Sequence, residues 1–231
     1  MAEAIPLFPL SSVLLPGMPL PLHIFEQRYR DLLADVTAGG RLGAFGVVAL
    51  RSGTEAMTPG AVPRGGGSRT APEVEQVGTL AELLEVEPKP DGTSDLLSVG
   101  SRRFRVVQLL PEGTSYLRAE VEWLDEPDGA VTAELAAGAR ELLATYDALL
   151  ARLAGRTTGD ELPDDANQLS YHLAARVPLP PGDRQDLLEA DTTEQRLKRL
   201  AVLLRREIPL LRRTRSVAVA PATFRLAAGL N

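Results

Sequence analysis

Few residues in this 231-residue chain have the chemistry for catalysis: two histidines, His23 and His172, two lysines, Lys89 and Lys198, and no cysteine. A hydrolytic triad needs an imidazole set between a hydroxyl and a carboxylate, and no Gly-x-Ser-x-Gly turn offers the hydroxyl. His23 and His172 lie too far apart in sequence to make a metal-ligand signature, and thiolates are absent. A serine–lysine dyad would need a desolvated lysine. Lys89 stands between Pro88 and Pro90 in turn chemistry, and Lys198 falls on a helix flank. Neither lysine follows a glycine, so the phosphate-binding Gly-Lys-Ser/Thr pattern is missing too. Glu85/Glu87 and Glu120/Glu122 alternate along strands and face solvent, without the enclosure acid–base work requires. The expectation is a chain with no catalytic residues, no metal and no cofactor.

Charge is more suggestive of binding. The net charge is −6, yet residues 196–215 hold eight basic residues against Glu207 alone. Lys198, Arg205 and Arg212 recur every seven residues, as do Arg199, Arg206 and Arg213, so a helix would line them along one side. Arg205, Arg206, Arg212 and Arg213 form the candidate patch for an acidic partner, against the plainer reading of a solvated helix face. Nucleic acid is the second reading of the same patch. Glu26, Arg28 and Arg30 cluster at a helix start, where charges ordinarily brace the fold. In Arg103-Phe104-Arg105, strand alternation sends Phe104 inward.

These groups must be held by elements that the pattern partly reveals. Residues 5–24 form an apolar ribbon broken by Pro6, Pro9, Pro16, Pro19 and Pro21, which cannot be helical. Tyr29, Leu32, Leu33 and Val36 then recur with helical spacing, predicting a helix over 26–38 stopped by Gly39 and Gly40. Strand signals cover 42–50, 77–80, 81–87, 96–99, 104–110 and 116–124. The glycines of the 42–50 strand point to a bulge or a close backbone approach. Residues 51–73 read as a long loop.

Beyond residue 127 the period becomes helical, with helices over 132–154, 164–176, 183–189 and 192–208. Asp164 or Asp165 caps the second; Thr192 with Gln195, or Asp191 with Glu194, opens the last, which Pro209 should kink or end. The fold class is α+β: a β-rich part over 1–127, a helical part over 128–213, and a loose tail over 214–231. No apolar run is long enough for a transmembrane helix, and the start lacks a secretory pattern, so cytoplasm is the default expectation.

Several of these residues, taken in order, resemble the N-terminal substrate-binding domain of Lon proteases. They are residues 6–10 (PLFPL), 15–17 (LPG), 21–26 (PLHIFE), 28–30 (RYR), Phe45-Gly46, 77–80 (VGTL), 100–105 (GSRRFR) and Tyr116-Leu117, with 186–189 (DLLE) and 195–197 (QRL) in the helical part. The resemblance implies a PUA-like β-barrel with one early helix followed by a helical bundle. It also implies recognition of unfolded or tagged polypeptides, without the ATPase and protease modules that follow this domain in full-length Lon. The partners it suggests are extended polypeptides and a Lon-type or other ATP-dependent protease, in an adaptor or regulator of protein quality control. Such a ligand would use a strand edge or a groove between barrel and bundle, with Leu20, Leu22, Ile24, Phe25 and Tyr29 as candidate contacts.

Overall fold

The computed structural model describes residues 3–51, 73–110, 113–154 and 161–214. The chain divides into two compact units, Met1–Asp125 and Glu126–Asn231. Most of the expected loop (52–72) and of the expected tail (215–231) lies outside the described residues.

The first unit holds β1 (Glu3–Leu10), β2 (Pro19–Ile24), α1 (Gln27–Val36), β3 (Ala44–Ala49), β4 (Val77–Pro88), β5 (Ser94–Leu110) and β6 (Leu117–Trp123). Strand order is β2-β5-β4-β3-β1-β6, and β6 pairs back onto β5, so the sheet closes as a barrel with β2 on its outer flank. Two pairs of short strands expected from the pattern are single long ones. β4 runs 12 residues and β5 runs 17. The register shift between Thr79 and Ala81 sets an extra residue into β5 between Gly100 and Arg103, which is where its period broke; further shifts lie between Leu83 and Glu85 and between Val106 and Gln108.

Four prolines sit in β1 and β2 without spoiling the sheet. β6 covers Glu3–Leu7 of β1 while β3 covers Leu7–Leu10. Pro6 and Pro9 therefore each lie where one flank of β1 is unpaired, and the missing amide faces that side. Pro19 and Pro21 occupy β2, which pairs with β5 alone. Successive β3 side chains enter two apolar clusters: Phe45 and Val47 join Leu32 and Leu33 of α1, whereas Val48 joins Ile5, Leu7, Phe104, Ala119 and Val121. Burial on both faces accounts for the continuous apolar run of this strand. Phe104 is fully buried, and its ring lies in a notch left by two glycines. A Cβ at Gly78 would stand 2.4 Å from the Val47 carbonyl oxygen and 2.6 Å from the Phe104 ring, and one at Gly46 would stand 2.8 Å from that ring. The close approach expected of the glycines in the 42–50 strand is thus met at Gly46.

In the second unit α2 (Ala133–Ala154), α3 (Ala166–Arg176), α4 (Pro181–Leu188) and α5 (Thr193–Thr214) follow. Their starts match the capping signals. Asp165 accepts from the Gln168 amide at 2.8 Å, and Thr192 Oγ1 accepts from the Gln195 amide at 3.1 Å. The Gln195 side chain returns to the Asp191 amide rather than to the cap residue's own. Leu197, Leu200, Ala201, Leu204, Ile208 and Leu211 form the buried stripe of α5. The helix passes through Pro209 and continues to Thr214 instead of ending. Pro209 is exposed and Ile208 and Leu211 are buried on either side of it, so packing holds the last turn while water can take the carbonyl freed. Among the described residues no helix is long and apolar enough to cross a membrane.

Candidate functional site

Three of the candidate contacts are core residues. Leu20, Leu22 and Ile24 alternate with Pro19, Pro21 and His23 along β2 and enter the cluster packed against α1, with exposures of 5%, 8% and 2%. They brace the barrel and offer no surface. Tyr29 is half-buried, stacked on Phe8 at 4.0 Å, with the Arg28 guanidinium 4.5 Å from its ring centroid. Burial pushes its phenol above the usual range. Phe25, 48% exposed, is the candidate that remains accessible.

Glu26 and Arg28 pair with each other at 2.7 Å, as charges bracing a helix start would. His23 projects from the outer strand to solvent, with Nδ1 at 2.6 Å from Asp95 Oδ1. Lys89 reaches the same carboxylate at 3.1 Å and Glu87 at 2.9 Å. Hydrogen bonds from His23 and then Lys89 hold Asp95 below the ordinary carboxylate range, and the bonds Lys89 donates to Glu87 and then Asp95 raise Lys89. This imidazole–carboxylate pair lies on open surface, with no hydroxyl bonded to it among the described residues. A lysine with a raised pKa is the reverse of an activated base. His172 lies half-buried on α3.

An accessible apolar surface lies elsewhere on the barrel. β3 covers β4 only as far as Glu82, after which the Leu83 amide bonds the Gly43 carbonyl at 3.0 Å. From Leu84 to Pro88 the flank of β4 away from β5 has no paired strand among the described residues. Leu84 falls at the register shift between Leu83 and Glu85 and is turned outward, 54% exposed. Leu42, two residues before β3, is 52% exposed. Glu82, Glu85 and Glu87 are exposed along the same strand.

The helical unit contains a buried guanidinium that sequence reading passed over. Arg196 is fully buried. It donates to the Leu187 carbonyl at 3.2 Å, Asn167 Oδ1 and Ser170 Oγ at 2.9 Å and Glu126 Oε2 at 3.1 Å, and it lies 3.8 Å over the Tyr171 ring. The Tyr171 hydroxyl donates to the same Glu126 carboxylate at 2.9 Å. Its spacing held the signal: Arg196 stands four residues before Leu200, on the apolar stripe of the helix. Arg103 is its counterpart in the barrel, 2% exposed and donating to the Asp125 carbonyl at 3.0 Å.

The candidate patch Arg205, Arg206, Arg212 and Arg213 lies exposed along α5. Arg206 bridges Asp183 of α4 and Glu207, whereas Arg205, Arg212 and Arg213 have no ion-pair partner among the described residues. No cluster of potential metal ligands occurs among the described residues either.

A family model for the ATP-dependent protease La (LON) substrate-binding domain matches residues 4–206. The chain belongs to that family. Within it, Lon protease 2 of Herpetosiphon aurantiacus is 34% identical over 142 residues, 59% of this chain and 17% of that protein. Lon protease 2 of Desulfotalea psychrophila is 27% identical over 226 residues, 95% of this chain and 27% of that protein. This Lon substrate-binding domain thus spans 17 to 27% of the length of those two curated relatives. Among solved structures, a Lon N-terminal domain protein from Xanthomonas campestris is 29% identical, covers 87% of this chain and 98% of its own, and superposes with a TM-score of 0.63. The N-terminal domain of a Mycobacterium avium complex Lon protease shares the fold at 18% identity, 88% and 98% coverage and a TM-score of 0.55. The residues that carried the resemblance to Lon are largely those that shape the barrel. Phe45-Gly46, Gly78 and Phe104 form the glycine notch, and Gly100 bonds through its amide to Met18 and through its carbonyl to Gly17.

Proposed function

We propose that this Lon-type substrate-binding domain acts as a non-catalytic polypeptide-binding module. It takes extended, apolar segments along the open flank of β4. The observation that carries this reading is the flank of Leu84–Pro88 away from β5, which has no paired strand among the described residues, near two exposed leucines, Leu42 and Leu84. An extended peptide can add there as a strand, its amides meeting the open backbone while alternate side chains rest on the leucines. Glu82, Glu85 and Glu87 favour clients that carry lysine or arginine beside their apolar residues. The outer edge of β2 is a poorer template, because Pro19 and Pro21 remove two donors. By analogy with the Lon proteases it resembles, the module serves in the cytoplasm as an adaptor or regulator that presents clients to an ATP-dependent protease.

Fluorescence anisotropy with labelled unfolded peptides tests the reading directly. Saturable binding should weaken by about tenfold in Leu42→Asp and Leu84→Asp, which place charge on the contact surface without touching the core. Absence of saturable binding across a peptide library would remove the polypeptide-binding reading. Undiminished binding by both variants would remove the β4 flank as its site.

A further inference from the structure

The outward side of α5 carries a periodic surface that the barrel's proposed role does not use. Basic pairs stand at Lys198/Arg199, Arg205/Arg206 and Arg212/Arg213, and between them lie apolar pairs at Val202/Leu203 and Pro209/Leu210. Both series repeat every seven residues. The buried stripe of the helix is a different set, so core packing does not require this second pattern. Val202 is 64% exposed and Leu210 47%. Beside the first apolar pair an open groove of about 380 Å³ runs between α4 and α5, lined by Val202 and Leu203 with Leu187, Asp183, Asp186, Lys198 and Arg199.

Acidic side chains neutralise only part of the positive charge. Glu194 takes Lys198, and Asp183 with Glu207 takes Arg206. Arg199 donates to the backbone carbonyl of Asp186, not to its carboxylate. Arg205, Arg212 and Arg213 remain without an ion-pair partner among the described residues. The result is a ridge about 22 Å long, given the rise per residue of a helix, on which arginines without an ion-pair partner among the described residues alternate with apolar side chains.

We propose that this ridge docks an acidic amphipathic helix of a partner protein. A seven-residue alternation is the repeat by which one helix lies along another. The complementary partner presents leucine-like side chains seven residues apart, to meet Val202/Leu203 and Pro209/Leu210. Its aspartates or glutamates, in the intervening turns, face Arg205, Arg212 and Arg213. The apolar pairs distinguish this occupant from a nucleic acid. Phosphates would engage the arginines and leave Val202 and Leu210 unused. The site lies on the helical unit and stands independently of the β4 flank.

The test uses the full chain and a labelled synthetic helix of three heptads, with leucine and glutamate in the pattern above. A charge-reversed lysine version and an oligouridylate of similar length serve as alternative ligands. At moderate salt the acidic peptide should bind saturably and the lysine version should not. Arg205→Glu with Arg212→Glu should weaken binding at least about tenfold, as should Val202→Ser with Leu210→Ser. Circular dichroism checks that the variants, changed only at exposed positions, keep their helix content. Equal binding of the lysine peptide, wild-type affinity in the Val202→Ser/Leu210→Ser variant, or tighter binding of oligouridylate than of the acidic peptide would each overturn the proposal. Loss of peptide binding in Leu42→Asp and Leu84→Asp with the α5 interaction intact would separate the two surfaces.

Discussion

Replacing Arg196 with alanine removes a fully buried guanidinium from four acceptors and an aromatic face. Breaking a buried ion pair from one side typically costs about 3–5 kcal/mol, because the partner is left charged and unpaired. Here the Glu126 side chain retains 26% exposure, so water can recover part of that loss. The Leu187 carbonyl and Ser170 hydroxyl lie deeper, and a buried group left without its partner costs about 1–3 kcal/mol. A total near 3 kcal/mol is expected, and Arg196→Lys should recover only a fraction, since one ammonium cannot span the fork's acceptors. Urea denaturation followed at 222 nm reads the helices, and with a slope of roughly 1.5–2 kcal/mol/M the midpoint should fall by about 1.5–2 M. Trp123, the single tryptophan, lies in the barrel and reports that unit separately, so its transition should move little. A loss below about 1 kcal/mol for Arg196→Ala would refute the view that this network holds the helical unit together.

Other outcomes can be checked with similar economy. Gly78→Ala forces a Cβ to within 2.4 Å of the Val47 carbonyl, so it should destabilise the barrel by about 1–3 kcal/mol in Trp123-monitored urea titration. Thr192→Ala removes the cap of α5 and should cost about 1 kcal/mol in the 222 nm transition. Tyr116 donates to Asp35, and desolvation together with that bond pushes its phenol up to about 12. The folded value lies above the unfolded one, so the contribution is intact below pH 10 and is lost as pH rises towards 12. Spectrophotometric titration should show a late-ionising tyrosine that disappears in Tyr116→Phe; Tyr146, also pushed up to about 12, should remain.

Where side-chain periodicity and packing agreed, the sequence foretold the fold. Asp165 and Thr192 cap helices as their types and spacing indicate. The outward and inward sets of β6 also separate as alternation requires, with Ala119 and Val121 fully buried. The pattern failed where an inserted residue changed the parity of a strand, so β5 read as two pieces on either side of residues 100–103. Surface was harder to read than core, because a leucine or isoleucine in a proline-broken ribbon looks the same on either side of a strand. Leu20, Leu22 and Ile24 proved to be the inward set. Leu42 and Leu84 lay outside every local signal: their exposure depends on where β3 stops covering β4 and on the bulge at Leu84. Arg103 was likewise hidden, since burial of a charge is decided by acceptors distant in sequence, whereas Arg196 showed only in its place on the apolar stripe of α5.

Closure of the barrel also carries a consequence for synthesis. β1 pairs with β6 from Glu3↔Val121 to Leu7↔Leu117, so the first strand made waits for the last before one of its flanks is satisfied. At translation rates of about 5–20 residues per second, roughly 6–24 s separate the emergence of these two segments. Through that interval an apolar strand waits for its partner, and Pro6 and Pro9 discourage other chains from pairing with it. The prolines that first marked this ribbon as non-helical would then act before the fold exists, guarding a nascent edge until β6 arrives.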